Sequence, residues 1–300
     1  MMTPSFPLQG EIASLLAALI WACSISCYSR FGGHVRAGTL NLFKNIVGLL
    51  CLGVAGSLLG WAWPKSLSPY LAFGLSGLVG LALGDTLMFY GMRKIGPQTA
   101  TVLQCLAPPF AAVLAWLVFD ESLSIFQWTG MTLTVCALAF VVAERPSTGV
   151  VRAFSVSGLL AALGAALCQA LAVLILRRAL QGTDVMTGTL LRLFPAIVGL
   201  SFVSLLRGQG RDLRRVFEPM QRGVIITLAA FFGTFIGLLL MSTGAKYAKA
   251  GVMTAISSTY PIWIMPIAHF GFKERVSARQ LIWTVLAVLG VALMMAEQFR

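Results

Sequence analysis

Charge is scarce in this chain. Asp, Glu, Lys and Arg together make up 11% of its 300 residues, while 58% are hydrophobic. Soluble domains carry about a quarter charged residues, so an ordinary water-facing surface is excluded. Histidine is scarcer still, limited to His34 and His269. There is no HExxH and no two-histidine metal cluster, and neither metal nor cofactor is expected. Acids number ten against 22 Lys and Arg, for a net charge of +12. In a soluble protein that excess would suggest nucleic acid. Here the bases fall in loops and at the ends of apolar runs, so phospholipid headgroups are the expected partner and nucleic acid is not. Six cysteines (Cys23, Cys27, Cys51, Cys105, Cys136, Cys168) lie within apolar runs without a CxxC pair. They read as small apolar fillers, not disulfides or metal ligands.

What the chain has instead is length of apolar run, with a mean hydropathy of +0.87. Runs of about 20 apolar residues predict ten membrane spans. They cover roughly 12–29, 38–60, 69–92, 98–118, 125–143, 156–176, 185–206, 223–243, 250–271 and 280–297. In lipid only helices and closed barrels satisfy the backbone, and runs this continuous mean helices. The expected fold is an all-α polytopic membrane protein. No signal peptide is expected, because residues 1–10 lack a basic leader and the first apolar run is long enough to span.

The sequence repeats itself. Displacing residues 80–144 onto 233–297, 153 positions along, lays Pro108 on Pro261 without a gap. It also lays Gly80 on Gly233, Gly84 on Gly237, Gly91 on Gly244, Thr101 on Thr254, Glu121 on Glu274, Gln127 on Gln280 and Glu144 on Glu297. About a quarter of the window is identical, including residue types that apolar composition alone does not match. The first two spans of each half repeat more weakly and set Asn41 opposite Arg192. Five spans fall in each half, giving units 1–146 and 147–300 around the polar run Glu144-Arg145-Pro146-Ser147-Thr148-Gly149. An odd number of crossings per unit inverts the second copy. Inverted repeats mark secondary transporters, with the solute site near the midplane between the halves.

Prolines interrupt spans 4 and 9 at Pro108, Pro109, Pro261 and Pro266. Each removes a backbone donor, so each is either a packing kink or a break lining a cavity. Three ionisable residues lie inside spans, where charge is costly and functional by default: Lys44, Asp85 and Arg192. Counting along antiparallel spans 2 and 3 puts Lys44 and Asp85 roughly 6–8 Å from the midplane on the same side, which predicts a pair. That pair is either structural or part of a solute site, and Asp85, the one deep carboxylate, is the candidate proton carrier. Arg192 meets no acid at matching depth, leaving carbonyls, headgroups or a substrate anion as its partner. The softer cavity candidates are Trp21, Ser24, Asn41, Asn45, Gln104, Gln169, Thr234, Ser257, Ser258, Tyr260 and Trp263. Singly, each is as well explained by helix–helix contact. Glu121 and Glu274 read as capping or pairing residues at the ends of spans 4 and 9.

The segment Gly84-Asp85-Thr86-Leu87 through Gly96-Pro97 and Pro108 to Glu121, with Ala268 to Glu274 in the second half, resembles the EamA-type drug/metabolite transporters. The resemblance covers essentially the full length. It implies a ten-helix carrier of the bacterial inner membrane, commonly an exporter of metabolites, amino acids or toxic compounds, working by alternating access. The expected partners are a small-molecule substrate and the lipid bilayer, with a proton as a candidate coupling ion through Asp85 alone, in a monomer or homodimer. Members often carry an arginine in span 2 as well as span 7, whereas this chain has Asn41 with Lys44 one turn on. Related four-helix carriers use a glutamate midway along span 1; here Glu11 lies at its end.

Two other function classes compete. Gly74-Leu75-Ser76-Gly77 matches the GxSG string of intramembrane serine proteases, with His269 as the only imaginable base, and nothing else supports a dyad. A channel would need a filter or a ring of acids, and neither is visible. Orientation divides the signals. Fourteen Lys and Arg follow odd-numbered spans against six after even-numbered spans and in the tails, placing both termini outside by the positive-inside rule. The family resemblance implies both inside.

Overall fold

A computed structural model describes residues 8–95, 100, 103–104, 106–120, 122–143, 155–208, 210–260, 263, 267 and 278–296. Its helices are α1 Gln9–Phe31, α2 Ala37–Leu59, α3 Leu67–Ile95, α4 Ala107–Phe119 and α5 Ile125–Ala143, then α6 Val156–Ala179, α7 Val185–Leu206, α8 Met220–Tyr247, α9 Ala250–Ser257 and α10 Ala278–Ala296. Six of them (α1, α2, α3, α6, α7 and α8) are long and apolar enough to cross a membrane, and α4 is a shorter apolar helix. The regular structure among the described residues is all helical, and the chain is a polytopic membrane protein. Leu58, Leu59, Leu71, Trp116 and Phe202 lie on its outside, an apolar exterior that lipid accommodates and water does not.

Local chemistry sets the ends of these helices. Ser155 accepts from the Gly158 amide at the start of α6, and Asp184 from the Thr187 amide at the start of α7, each receiving an N–H that the first turn leaves free. Gly60 closes α2 at φ +92°, a backbone angle that a side chain would strain.

The packing is unchanged when the two halves are exchanged. α1 runs along the C-terminal part of α8, and the C-terminal part of α3 runs along α6. α4 packs on α6 and α9 on α1, while α2 meets α7 and α5 meets α10. The two glycine pairs make the crossings close. A Cβ at Gly80 would lie 2.7 Å from the Ala172 Cβ, and one at Gly233 would lie 2.5 Å from the Ser24 Oγ. Each pair thus presses on the first helix of the opposite half, as small-residue spacing allows.

Two features of the helices were not foreseen. Both glycine pairs sit at stretches of π-helix in repeat-equivalent positions: Gly80 and Gly84 lie within Gly77–Gly84 in α3, and Gly233 lies within Phe231–Ile236 in α8 with Gly237 directly after it. Such bulges free backbone carbonyls, and side chains from other helices receive them. Asn41 donates to the carbonyls of Leu81 at 2.7 Å and Ala82 at 3.3 Å, and the Trp21 indole N–H donates to that of Gly233 at 2.9 Å.

The prolines also act differently from the expectation of a mid-span interruption. Pro108 and Pro109 occupy the first turn of α4, where the missing N–H is harmless, and the irregularity precedes them. The Leu106 amide donates to the Leu103 carbonyl at 3.1 Å, and the Thr259 amide donates to that of Ile256 at the same distance. Leu106 and Thr259 are repeat equivalents. Pro261, Pro266, Glu121 and Glu274 lie outside the described residues.

Gly77 makes the tightest approach, with a Cβ there falling 1.9 Å from the Arg192 carbonyl oxygen. Backbone cannot yield as a side-chain tip does, so Gly77→Ala should cost about 1–3 kcal/mol. Gly53→Ala, with nothing within 4 Å, should instead stabilise α2 by about 0.5–1 kcal/mol. Thermal unfolding in detergent checks this: shifts of the same sign would refute the close approach.

Candidate functional site

A partly open cavity of about 150 Å³ lies among α1, α2, α3, α6, α7, α8 and α9. Eleven of the fourteen polar and aromatic candidates named from sequence are in its wall: Trp21, Ser24, Lys44, Asp85, Gln104, Gln169, Arg192, Thr234, Ser257, Ser258 and Tyr260. Asn41, Asn45 and Trp263 are not. Asn41 is fully buried against the α3 bulge and also reaches Thr86 Oγ1 at 3.0 Å, while Asn45 donates to Asn41 Oδ1 at 3.1 Å. Trp263 packs with Ala18, Ala22 and Tyr260.

The deep charges arrange themselves by partner. Lys44 Nζ lies 2.7 Å from Asp85 Oδ2, with side-chain exposures of 9% and 30%. The depth count on antiparallel α2 and α3 therefore gives the right contact. Arg192 is 0% exposed and its Nη1 finds only the Met241 sulfur at 4.0 Å, a poor acceptor. Its Nε and Nη2 have no hydrogen-bond partner among the described residues. Room for the guanidinium comes from Gly80, where a Cβ would stand 3.0 Å from Nη2.

Sequence reading missed the apolar part of the wall. Met88, Met92, Met241 and Met253 line the cavity together with Phe89 and Tyr28. Met88 and Met241 are repeat equivalents, as are Gln104 and Ser257 beside the two helix irregularities, so pairing residues across the repeat is the signal that points to this wall. Thioether side chains are polarizable and adapt to varied apolar shapes.

Ser76 is fully buried and donates to the Ala172 carbonyl at 2.7 Å, tying α3 to α6; His269 lies outside the described residues. Among the described residues no group of acids, cysteines and histidines has the makings of a metal site, and Cys23, Cys27, Cys51, Cys136 and Cys168 are unpaired.

Breaking the Lys44–Asp85 pair strands one charge in a poorly solvated place, which costs about 3–5 kcal/mol when burial is complete. Lys44 is the more buried partner, so Asp85→Asn should destabilise more than Lys44→Met, by about 2–3 kcal/mol. The double substitution should recover most of that loss in detergent melting curves. A double variant as unstable as the sum of the singles would show that the two charges do not depend on one another.

Comparison with known proteins adds two findings. One solved crystal structure of a protein superposes with a TM-score of 0.78 over 96% of both chains, at 16% sequence identity, so the fold is shared. Curated protein sequences give no match. The sequence profile of the EamA-like transporter family aligns twice, to residues 8–143 and to residues 156–296, and at that coverage the chain belongs to the EamA-like transporter family.

Proposed function

We propose that this protein is a secondary carrier that exports small organic solutes from a bacterial cell by alternating access. Ten crossings form two inverted five-helix halves, 1–146 and 147–300, and the cavity between them is the solute site. The observation that carries this reading is the position of the helix irregularities. The α3 and α8 bulges and the interruptions at Leu106 and Thr259 are repeat-equivalent, and Leu81, Gly84, Gln104, Gly233 and Ser257 beside them line the cavity. Paired weak points around a shared cavity suit a machine whose halves rock about a fixed site. The family is one of transporters, and the buried roles of Ser76 and Asn41 are structural, which favours transport over catalysis. Lys44 and Asp85 supply a charge pair that a proton can open, with Asp85 as its carrier.

Reconstitution in liposomes tests the carrier reading. Uptake from a panel of labelled amino acids and aromatic acids should saturate, and a preloaded solute should drive counterflow. Linear flux without counterflow would identify a channel instead. With Asp85→Asn, counterflow should persist while accumulation driven by an imposed pH gradient falls to background. Gradient-driven accumulation equal to that of the parent would remove Asp85 from the coupling path.

A further inference from the structure

Buried polar atoms without partners are rare in folded proteins. Here several of them share one place. Ser24 Oγ, Gln104 Oε1, Ser257 Oγ and the Nε and Nη2 of Arg192 lack partners among the described residues, and all four side chains line the cavity. Four unpartnered polar side chains in one wall are the makings of a binding surface, since each is costly until something is bound to it.

The charges narrow the ligand class. Lys44, Asp85 and Arg192 are the ionised residues in the described wall, and the first two neutralise one another at 2.7 Å. That leaves one net positive charge, on a guanidinium whose planar fork matches two oxygens of a carboxylate. A dianion would need a second free cation, and Lys44 is already engaged. The rest of the wall is apolar and polarizable: Met88, Met92, Met241, Met253, Phe89 and Trp21. We infer that the cavity binds a small monocarboxylate with an apolar or aromatic body. Its carboxylate sits on Arg192, its body lies against the methionines, and Gln104 and Ser257 take any further polar group. This assignment rests on the transport reading above and adds the chemistry of the solute to it.

The test uses purified full-length protein in lipid nanodiscs and isothermal titration with a series of ω-phenyl carboxylates from phenylacetate to 6-phenylhexanoate, each paired with its primary amide. At least one acid should bind at least about thirtyfold tighter than its amide, the scale set by losing one buried charge partner. Arg192→Gln should abolish that preference, while its melting temperature without ligand equals or exceeds that of the parent, because an unpaired buried charge has been removed. Four results would overturn the inference: no acid binding tighter than about 1 mM, acids and amides binding alike, a preference that survives in Arg192→Gln, or a lower melting temperature or failure to fold in that variant. The last would mean the guanidinium holds the fold together. The two readings separate in liposomes. Saturable counterflow of a neutral solute with no preference for acids would sink the anion site and leave the carrier standing. Acid-selective binding without counterflow would do the reverse.

Discussion

A backbone carbonyl or amide left unpaired in hydrocarbon costs several kcal/mol, and this cost governs where the helices may depart from regularity. The α3 bulge is tolerated because Asn41 donates to Leu81 and Ala82, and the α8 bulge because Trp21 donates to Gly233. The interruptions at Leu106 and Thr259 close on themselves with bonds to the third residue back, then lead into or toward proline. Among the described residues, irregular backbone thus lies beside the cavity, where side chains of neighbouring helices receive it. On α8 the glycines serve the same end: without Gly233 and Gly237 it would stand too far from α1 for Trp21 to reach the freed carbonyl.

Much of this was legible from residue order. The halves showed because Pro108, Gln127 and Glu144 recur at one displacement, where apolar composition alone would have matched only Leu, Val and Ala. The Lys44–Asp85 contact followed from counting along two neighbouring antiparallel spans, which fixes depth within one turn. The bulges were not legible. Gly80-x-x-x-Gly84 says that something comes close, but an added backbone residue per turn leaves no trace in side-chain spacing. For the same reason the position of the break in span 4 was not legible: it falls at Leu106, just before the prolines, which open α4, and an apolar run looks identical whether a helix continues or restarts. Asn41 could not be sorted from Gln104 or Ser24, because an amide that mends a carbonyl and one that faces a cavity have the same depth. The methionine wall escaped because methionine counts as generic apolar surface until its neighbours are known.

The two halves share a frame and divide the charge. Equivalent positions hold Met88 and Met241, Gln104 and Ser257, Leu81 and Thr234, so the wall is nearly symmetric in shape. The ionised groups break that symmetry: Asp85 faces Leu238 across the repeat, and Arg192 answers Asn41. On the proposed carrier reading, a symmetric frame would let equivalent motions open either side, and asymmetric polarity would fix which way round a solute lies.

The α5–α10 pair stands apart from this arrangement. The two helices pack chiefly on one another, with Phe140 stacked on Trp283 at 4.3 Å and Gly290 seated against Thr134. Among the described residues, neither contributes to the cavity wall. Such a module can drift in sequence as a unit, one partner adjusting to the other, without disturbing the cavity. It is therefore the natural handle for fusions, crosslinks or antibody epitopes that must leave the cavity untouched.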